Sequence, residues 1–138
     1  MAEDSEPDVL LIREALRLAG IPQDNLQVAR DGEIAMRLFE QLEADGPPVC
    51  PDLVLLDINL PKKRGGDILR RIRASTKCPA TKVLVVTSSG LQSDRDQMER
   101  LGANGYFRKP SEYAAFMELG LLVRTLLGMG EASAGSVY

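Results

Sequence analysis

Residues 53–57 read Leu53-Val54-Leu55-Leu56-Asp57, four consecutive apolar side chains ending on a carboxylate. An apolar run with no alternation fits a strand buried on both faces of a parallel sheet. Lys82–Val86 repeats the pattern and ends in Thr87-Ser88-Ser89, and Gly105-Tyr106-Phe107 is a shorter case ending in Arg108-Lys109-Pro110. Between these strands the sequence predicts helices over Asp67–Ser75 and Ser93–Leu101, and a last helix over Glu112–Leu127. Upstream, Ser5 caps and Pro7 opens a helix whose apolar set is Val9, Ile12, Leu16 and Ala19, stopped by Gly20 and Pro22. A short strand is expected at Leu26–Val28. A second helix follows Asp31-Gly32, with Ile34, Ala35, Leu38, Phe39 and Leu42 on one stripe. Asp45-Gly46-Pro47-Pro48 reads as a loop. Alternating strands and helices predict an α/β fold, a parallel sheet doubly wound by right-handed crossovers with helices on both faces. One domain is expected over residues 1–127, with 128–138 a loose tail.

The composition narrows the chemistry. The chain has 138 residues, a formal net charge of −3, and no histidine. Without histidine, Ser/His/Asp and Cys/His catalysis and the usual zinc sites are excluded. The acidic balance and the absence of Trp argue against nucleic acid as a partner. The acidic start reads as no signal peptide, and no apolar run approaches the length of a membrane span, so a cytoplasmic protein is expected. Cys50 and Cys78 are too few for a disulfide framework; a reducing compartment and inert thiols are the expectation.

In an open parallel sheet, ligands bind at the carboxyl ends of the strands. There the sequence places Glu3-Asp4, Asp57, Thr87 and Lys109. Clustered carboxylates recruit a divalent cation, and hard oxygen ligands suit Mg²⁺. A lysine beside them balances charge on a phosphoryl oxygen, and a hydroxyl donates to another. The combination reads as a phosphoryl-transfer site.

Asp57-Ile58-Asn59-Leu60-Pro61 followed by Gly65 resembles the phosphoacceptor loop of response-regulator receiver domains. Leu101-Gly102-Ala103-Asn104-Gly105-Tyr106 leading to Lys109-Pro110 is similar to their fifth strand and lysine loop. The similarity covers roughly residues 2–127. Leu60-Pro61-Lys62-Lys63, with a long loop after the second helix, resembles the single-domain regulators paired with bacterial phytochrome-type kinases. The resemblance implies a flavodoxin-like five-stranded sheet in the order 2-1-3-4-5. It implies that Asp57 takes a phosphoryl group from a sensor histidine kinase in a two-component phosphorelay. Asp4 would bind Mg²⁺ directly, Glu3 through a water, and Asp57 and the Asn59 backbone carbonyl would complete the ligands. Lys109 would pair with the aspartyl phosphate, and Thr87 and Tyr106 would form the switch. The chain would then be a signalling module rather than an enzyme, limited to self-phosphotransfer and slow self-dephosphorylation. Lacking histidine, it needs a partner as phosphohistidine donor.

Blander readings stand beside these. Thr87 could simply end its strand, Tyr106 could be a static core aromatic, and Lys62-Lys63-Arg64 a solvated loop. The last helix carries only Glu118 and Arg124 as charges in its body, which suggests a homodimer face or else a wide buried one. One departure from the family is clear: only Met1 and Ala2 precede Glu3, where a central first strand is expected. Losing that strand would open a gap of about 4.8 Å on each side of the missing chain. A late start, a strand supplied by a partner, or a degenerate adaptor that works without phosphorylation would each account for it. A phosphohydrolase of the haloacid-dehalogenase type is the other alternative. That chemistry needs a carboxylate two residues after the nucleophile, where this chain has Asn59. It also expects an acidic pair after the lysine strand, where Ser111-Glu112-Tyr113 stands.

Overall fold

The computed structural model describes residues 1–44, 47 and 49–130. Of the loop expected at Asp45-Gly46-Pro47-Pro48, all but Pro47 lie outside the described residues, as do residues 131–138 of the expected tail. The elements run α1 (Glu6–Leu18), α2 (Gly32–Ala44), β1 (Leu53–Leu56), α3 (Gly65–Arg73), β2 (Lys82–Thr87), α4 (Gln92–Arg100), β3 (Gly105–Arg108), α5 (Tyr113–Met117) and α6 (Leu119–Leu126).

The three apolar runs form a parallel sheet in the order β1-β2-β3. Its register pairs Leu53 with Lys82 at one end and Thr87 with Arg108 at the other. Period-2 alternation sorts the strand side chains between two cores. Leu56, Val83, Val85 and Tyr106 face Phe39 of α2, Ile68, Leu69 and Ile72 of α3, and Met98 of α4. Leu55, Leu84 and Val86 face Ile12, Ala15 and Leu16 of α1, Phe116 of α5, and Leu119, Val123 and Leu126 of α6. Helices thus cover both faces, as the alternation of elements predicts.

Of the expected five strands, two are reduced to single bridges. Ala2 bridges in parallel to Ala29 on one side and Leu56 on the other. Its neighbours extend the pairing: the Ala29 N–H donates to the Met1 carbonyl at 2.8 Å and the Glu3 N–H to the Ala29 carbonyl at 2.9 Å. Ala2 donates to Leu55 at 2.8 Å, and Asp57 donates to Ala2 at 3.1 Å. The order 2-1-3-4-5 therefore survives in the backbone, and the gap expected at the sheet centre is filled by residues 1–3 of the chain itself. The strand expected at Leu26–Val28 does not form; its place is taken by the bridge at Ala29, one residue later.

The last helix divides at Glu118, where the Glu118 N–H reaches back three residues to Ala115 and the Leu121 N–H reaches Glu118. These tighter bonds shorten the turn between α5 and α6. At Gly120 a Cβ would stand 2.5 Å from the Ala15 carbonyl oxygen, so glycine is what lets α6 lie close on α1. Most of the apolar surplus of this helix is spent inward: Leu119, Val123 and Leu126 are buried, and Leu121 alone among its leucines is largely exposed. The wide buried face is the reading the packing favours.

The cysteines depart from expectation. Cys50 and Cys78 form a disulfide, with Cα atoms 5.4 Å apart. Each precedes one of two neighbouring parallel strands, so pairing β1 with β2 brings the two thiols together. They are structural partners rather than inert thiols.

Candidate functional site

Asp57 follows β1 directly and is buried. Its Oδ1 accepts from the Asn59 backbone N–H at 3.1 Å. Gly65 closes the loop over it: a Cβ there would lie 2.6 Å from the Asp57 carbonyl oxygen and from Ile58 Cα, so any side chain would push the loop off the strand end. Between them Lys62 adopts a φ of 69°, a left-handed value uncommon for a residue with a side chain. Its ammonium lies 3.5 Å from Asp31, which caps α2 through the Ile34 N–H. The basic run Lys62-Lys63-Arg64 is thus partly tied to α2 rather than wholly solvated.

Glu3 is 1% exposed and stands beside Asp57 because residues 1–3 lie between Ala29 and β1. Lys109 follows β3 and is held by its own backbone N–H on the Thr87 carbonyl at 2.7 Å. Its ammonium reaches Glu3 Oε2 at 2.7 Å, Asp8 Oδ2 at 2.8 Å and Asp57 Oδ2 at 3.1 Å. Three N–H donors meet three carboxylates. Burial works against the ammonium, but the hydrogen bonds to Asp8 and Glu3 and the charge of Asp57 outweigh it and raise the Lys109 pKa above the ordinary lysine value. Burial raises the Glu3 pKa above the usual carboxylate range, against the lowering pull of Lys109.

Glu3, Asp4 and Asp57 can each direct one carboxylate oxygen to within 4.8 Å of the others, with Asp4 exposed and the other two buried. Such an all-oxygen set fits a hard divalent cation, and the two buried carboxylates are where its charge would be least screened. The strand ends therefore assemble a buried carboxylate, a cation-ready acidic group and an ammonium at one rim, a combination of the kind that suits phosphoryl chemistry.

The two residues expected to form the switch lie at the end of β2 and within β3. Thr87 is fully buried at the end of β2, and its hydroxyl accepts from the Ser89 N–H at 3.3 Å. Tyr106 is buried in this structure: its hydroxyl donates to the Ser89 carbonyl at 3.0 Å, and the Arg95 guanidinium lies 4.9 Å from its ring centre. Asn59 is exposed, and its backbone N–H lies on Asp57. Sequence reading missed Asp8. The signal was present as an acid three residues after the Ser5 cap, a spacing that reads as a helix-capping device. Its partner Lys109 lies 101 residues away.

The model of the response regulator receiver domain matches residues 1–119. The response regulator Rcp1 of Synechocystis sp. (strain ATCC 27184 / PCC 6803 / Kazusa) is 36% identical over 110 residues, covering 79% of this chain and 74% of Rcp1. The transcriptional regulatory protein CpxR of Escherichia coli (strain K12) is 34% identical over 110 residues, 80% of this chain, which spans 41% of the CpxR length. Among solved structures, the Mn²⁺-bound form of Rcp1 superposes with a TM-score of 0.74 at 28% identity, covering 96% of both chains. The phosphorylated cyanobacterial phytochrome response regulator RcpA gives a TM-score of 0.74 at 28% identity, over 91% of this chain and 89% of that one. No helix of the described residues is long and apolar enough to cross a membrane. With the matched region containing Glu3, Asp4, Asp57, Thr87 and Lys109, this chain belongs to the response regulator receiver domain family.

Proposed function

We propose that this receiver domain is a phosphoacceptor switch of two-component signalling, with Asp57 as the acceptor. The observation that carries this reading is the Lys109 ammonium lying on both Glu3 and Asp57 at the strand ends. Asp57 attacks the phosphorus of a phosphohistidine on a sensor histidine kinase; the N–P bond breaks as the O–P bond forms, and the imidazole leaves. Lys109 receives a phosphoryl oxygen, and Thr87 turns its hydroxyl toward another. Glu3, Asp4, Asp57 and the Asn59 carbonyl would hold Mg²⁺, which supplies positive charge against the phosphoryl oxygens and the carboxylates. Thr87 and Tyr106 are the switch pair: new contacts on phosphorylation shift the population of the surface around α4 and β3. Self-phosphotransfer from a small phosphodonor and slow self-dephosphorylation belong to the same site.

Likeness to the phytochrome response regulator RcpA supports a phytochrome-type kinase as the donor, and a cytoplasmic site of action accompanies that reading. Pairing through the last helix would rest on Leu121, its one largely exposed leucine. The test is transfer of label from an autophosphorylated phytochrome-type kinase to this chain. The label should move within the assay, survive acid and be lost in base, as an acyl phosphate is and a phosphohistidine is not. Label that stays on the kinase in the presence of Mg²⁺, or arrives equally on Asp57→Ala, contradicts the reading.

A further inference from the structure

The Lys109 ammonium and a divalent cation require the same oxygens. Of the three carboxylates on Lys109, Glu3 and Asp57 belong to the cation-ready group, and only Asp8 does not. We propose that Asp8 is a positioning residue that retains Lys109 at the site when Glu3 and Asp57 turn to the metal, so that the lysine yields those oxygens without leaving. This inference rests on the metal-dependent phosphoacceptor reading above.

The local structure leaves Asp8 available for this. It stands in the first turn of α1, where an acid three residues after a Ser cap ordinarily reaches back to the cap's N–H. Here the Ser5 N–H is satisfied by Glu3 Oε1 at 3.1 Å, and the Asp8 carboxylate turns to Lys109 instead. Asp8 is the most exposed of the three partners, its side chain 28% accessible against 2% for Glu3 and 10% for Asp57, so it lies on the outer side of the ammonium. A cation arriving among Glu3, Asp4 and Asp57 repels the ammonium from two of its partners, and the third marks where it can remain. Without Asp8, Lys109 has no anion of its own: it competes with the cation for Glu3 and Asp57, and once the cation is bound it is released to solvent.

The competing account makes Asp8 a helix-capping charge that favours α1 and adds to the negative field, with no dependence on Lys109. A double-mutant cycle on the full chain separates the two, with Mn²⁺ affinity measured by calorimetry and folding checked by circular dichroism. Asp8→Asn should weaken Mn²⁺ binding about fivefold to tenfold in the presence of Lys109, and by less than about twofold when Lys109→Gln is also present. With Mg²⁺ added, the Lys109 side-chain nitrogen signal in NMR should stay protected from solvent exchange in the unsubstituted chain and lose that protection in Asp8→Asn; this readout stands even if Lys109→Gln folds poorly. Equal weakening in both backgrounds, or protection that survives Asp8→Asn, overturns the proposal while leaving the metal site intact. No Mn²⁺ binding by the unsubstituted chain overturns the metal site itself, and the role of Asp8 with it.

Discussion

Lys109→Ala should lower the stability of the metal-free fold by about 3–5 kcal/mol near neutral pH, the usual effect of removing one partner from a buried ion pair. The ammonium is the cation that offsets Glu3, Asp8 and Asp57. Its loss leaves Glu3, almost wholly buried, facing Asp57 with no other ion-pair partner among the described residues. The low end of the range is favoured, because Asp8 can take up water. In the unsubstituted chain the Lys109 pKa is raised by its three carboxylate partners. Its contribution is complete below the ordinary lysine value of 10.5 and is lost only as the pH rises through the still higher folded value. Neutral solution, where the three carboxylates are ionised, should therefore show it in full.

In the variant the pH dependence passes to Glu3. Burial already raises its pKa above 4.5, and the substitution removes the hydrogen bond and charge that pull it down. A carboxyl group with a raised folded pKa favours the fold when protonated and costs stability as the pH rises through that value. The deficit of Lys109→Ala should thus shrink on acidification, and it should also shrink when Mg²⁺ is added at neutral pH, by mass action. Urea unfolding at two pH values, with and without Mg²⁺, measures all of this. A deficit under about 1 kcal/mol, the size expected of an exposed pair, would mean that the three carboxylates are not held by this lysine.

Reducing the Cys50–Cys78 bond is the second large effect. The bond closes a loop across a sequence separation of 28 and should contribute about 3–4 kcal/mol, chiefly by limiting the unfolded chain. It joins the segment before β1 to the turn before β2, at the end of the sheet where Leu53 pairs with Lys82. Asp57, Thr87 and Lys109 lie at the opposite end. Reduction by dithiothreitol should therefore lower the urea midpoint without changing Mg²⁺ binding or phosphorylation. Cys50→Ser should reproduce that stability in non-reducing buffer, since Cys50 is the less buried of the two. A midpoint indifferent to reductant would mean that the bond is not formed in the folded protein.

What the sequence disclosed followed burial. Leu53–Leu56 was legible to the residue because a strand covered on both faces must be apolar throughout, and the strand-end residues Asp57, Thr87 and Lys109 followed from it. The elements that escaped notice are held by backbone or by distant partners. Residues 1–3 pair on both sides using main-chain groups that any residue supplies, so the pattern of side chains carries no sign of it. Leu26–Val28 has the composition of a strand, yet the bridge forms at Ala29, and of the stretch itself the Gln27 carbonyl takes the Met1 amino group. The last helix reads as one apolar run, and the tightened turn at Glu118 leaves no mark in composition. Buried Glu43 is sustained by Arg71 and Ser75, a network spread over α2, α3 and the turn beyond. Asp8 and Lys109 belong to the same class. Charged side chains far apart in sequence reveal their pairing only once the sheet has brought their elements together.

The most direct test of the account is the intact mass of the full chain after incubation with acetyl phosphate and Mg²⁺, beside Asp57→Ala and a magnesium-free sample. One phosphoryl adduct is expected on the unsubstituted chain, none on Asp57→Ala and none without the cation. A folded protein that gains no adduct, or gains it equally in Asp57→Ala, would contradict the phosphoacceptor reading and favour an adaptor that works without phosphorylation.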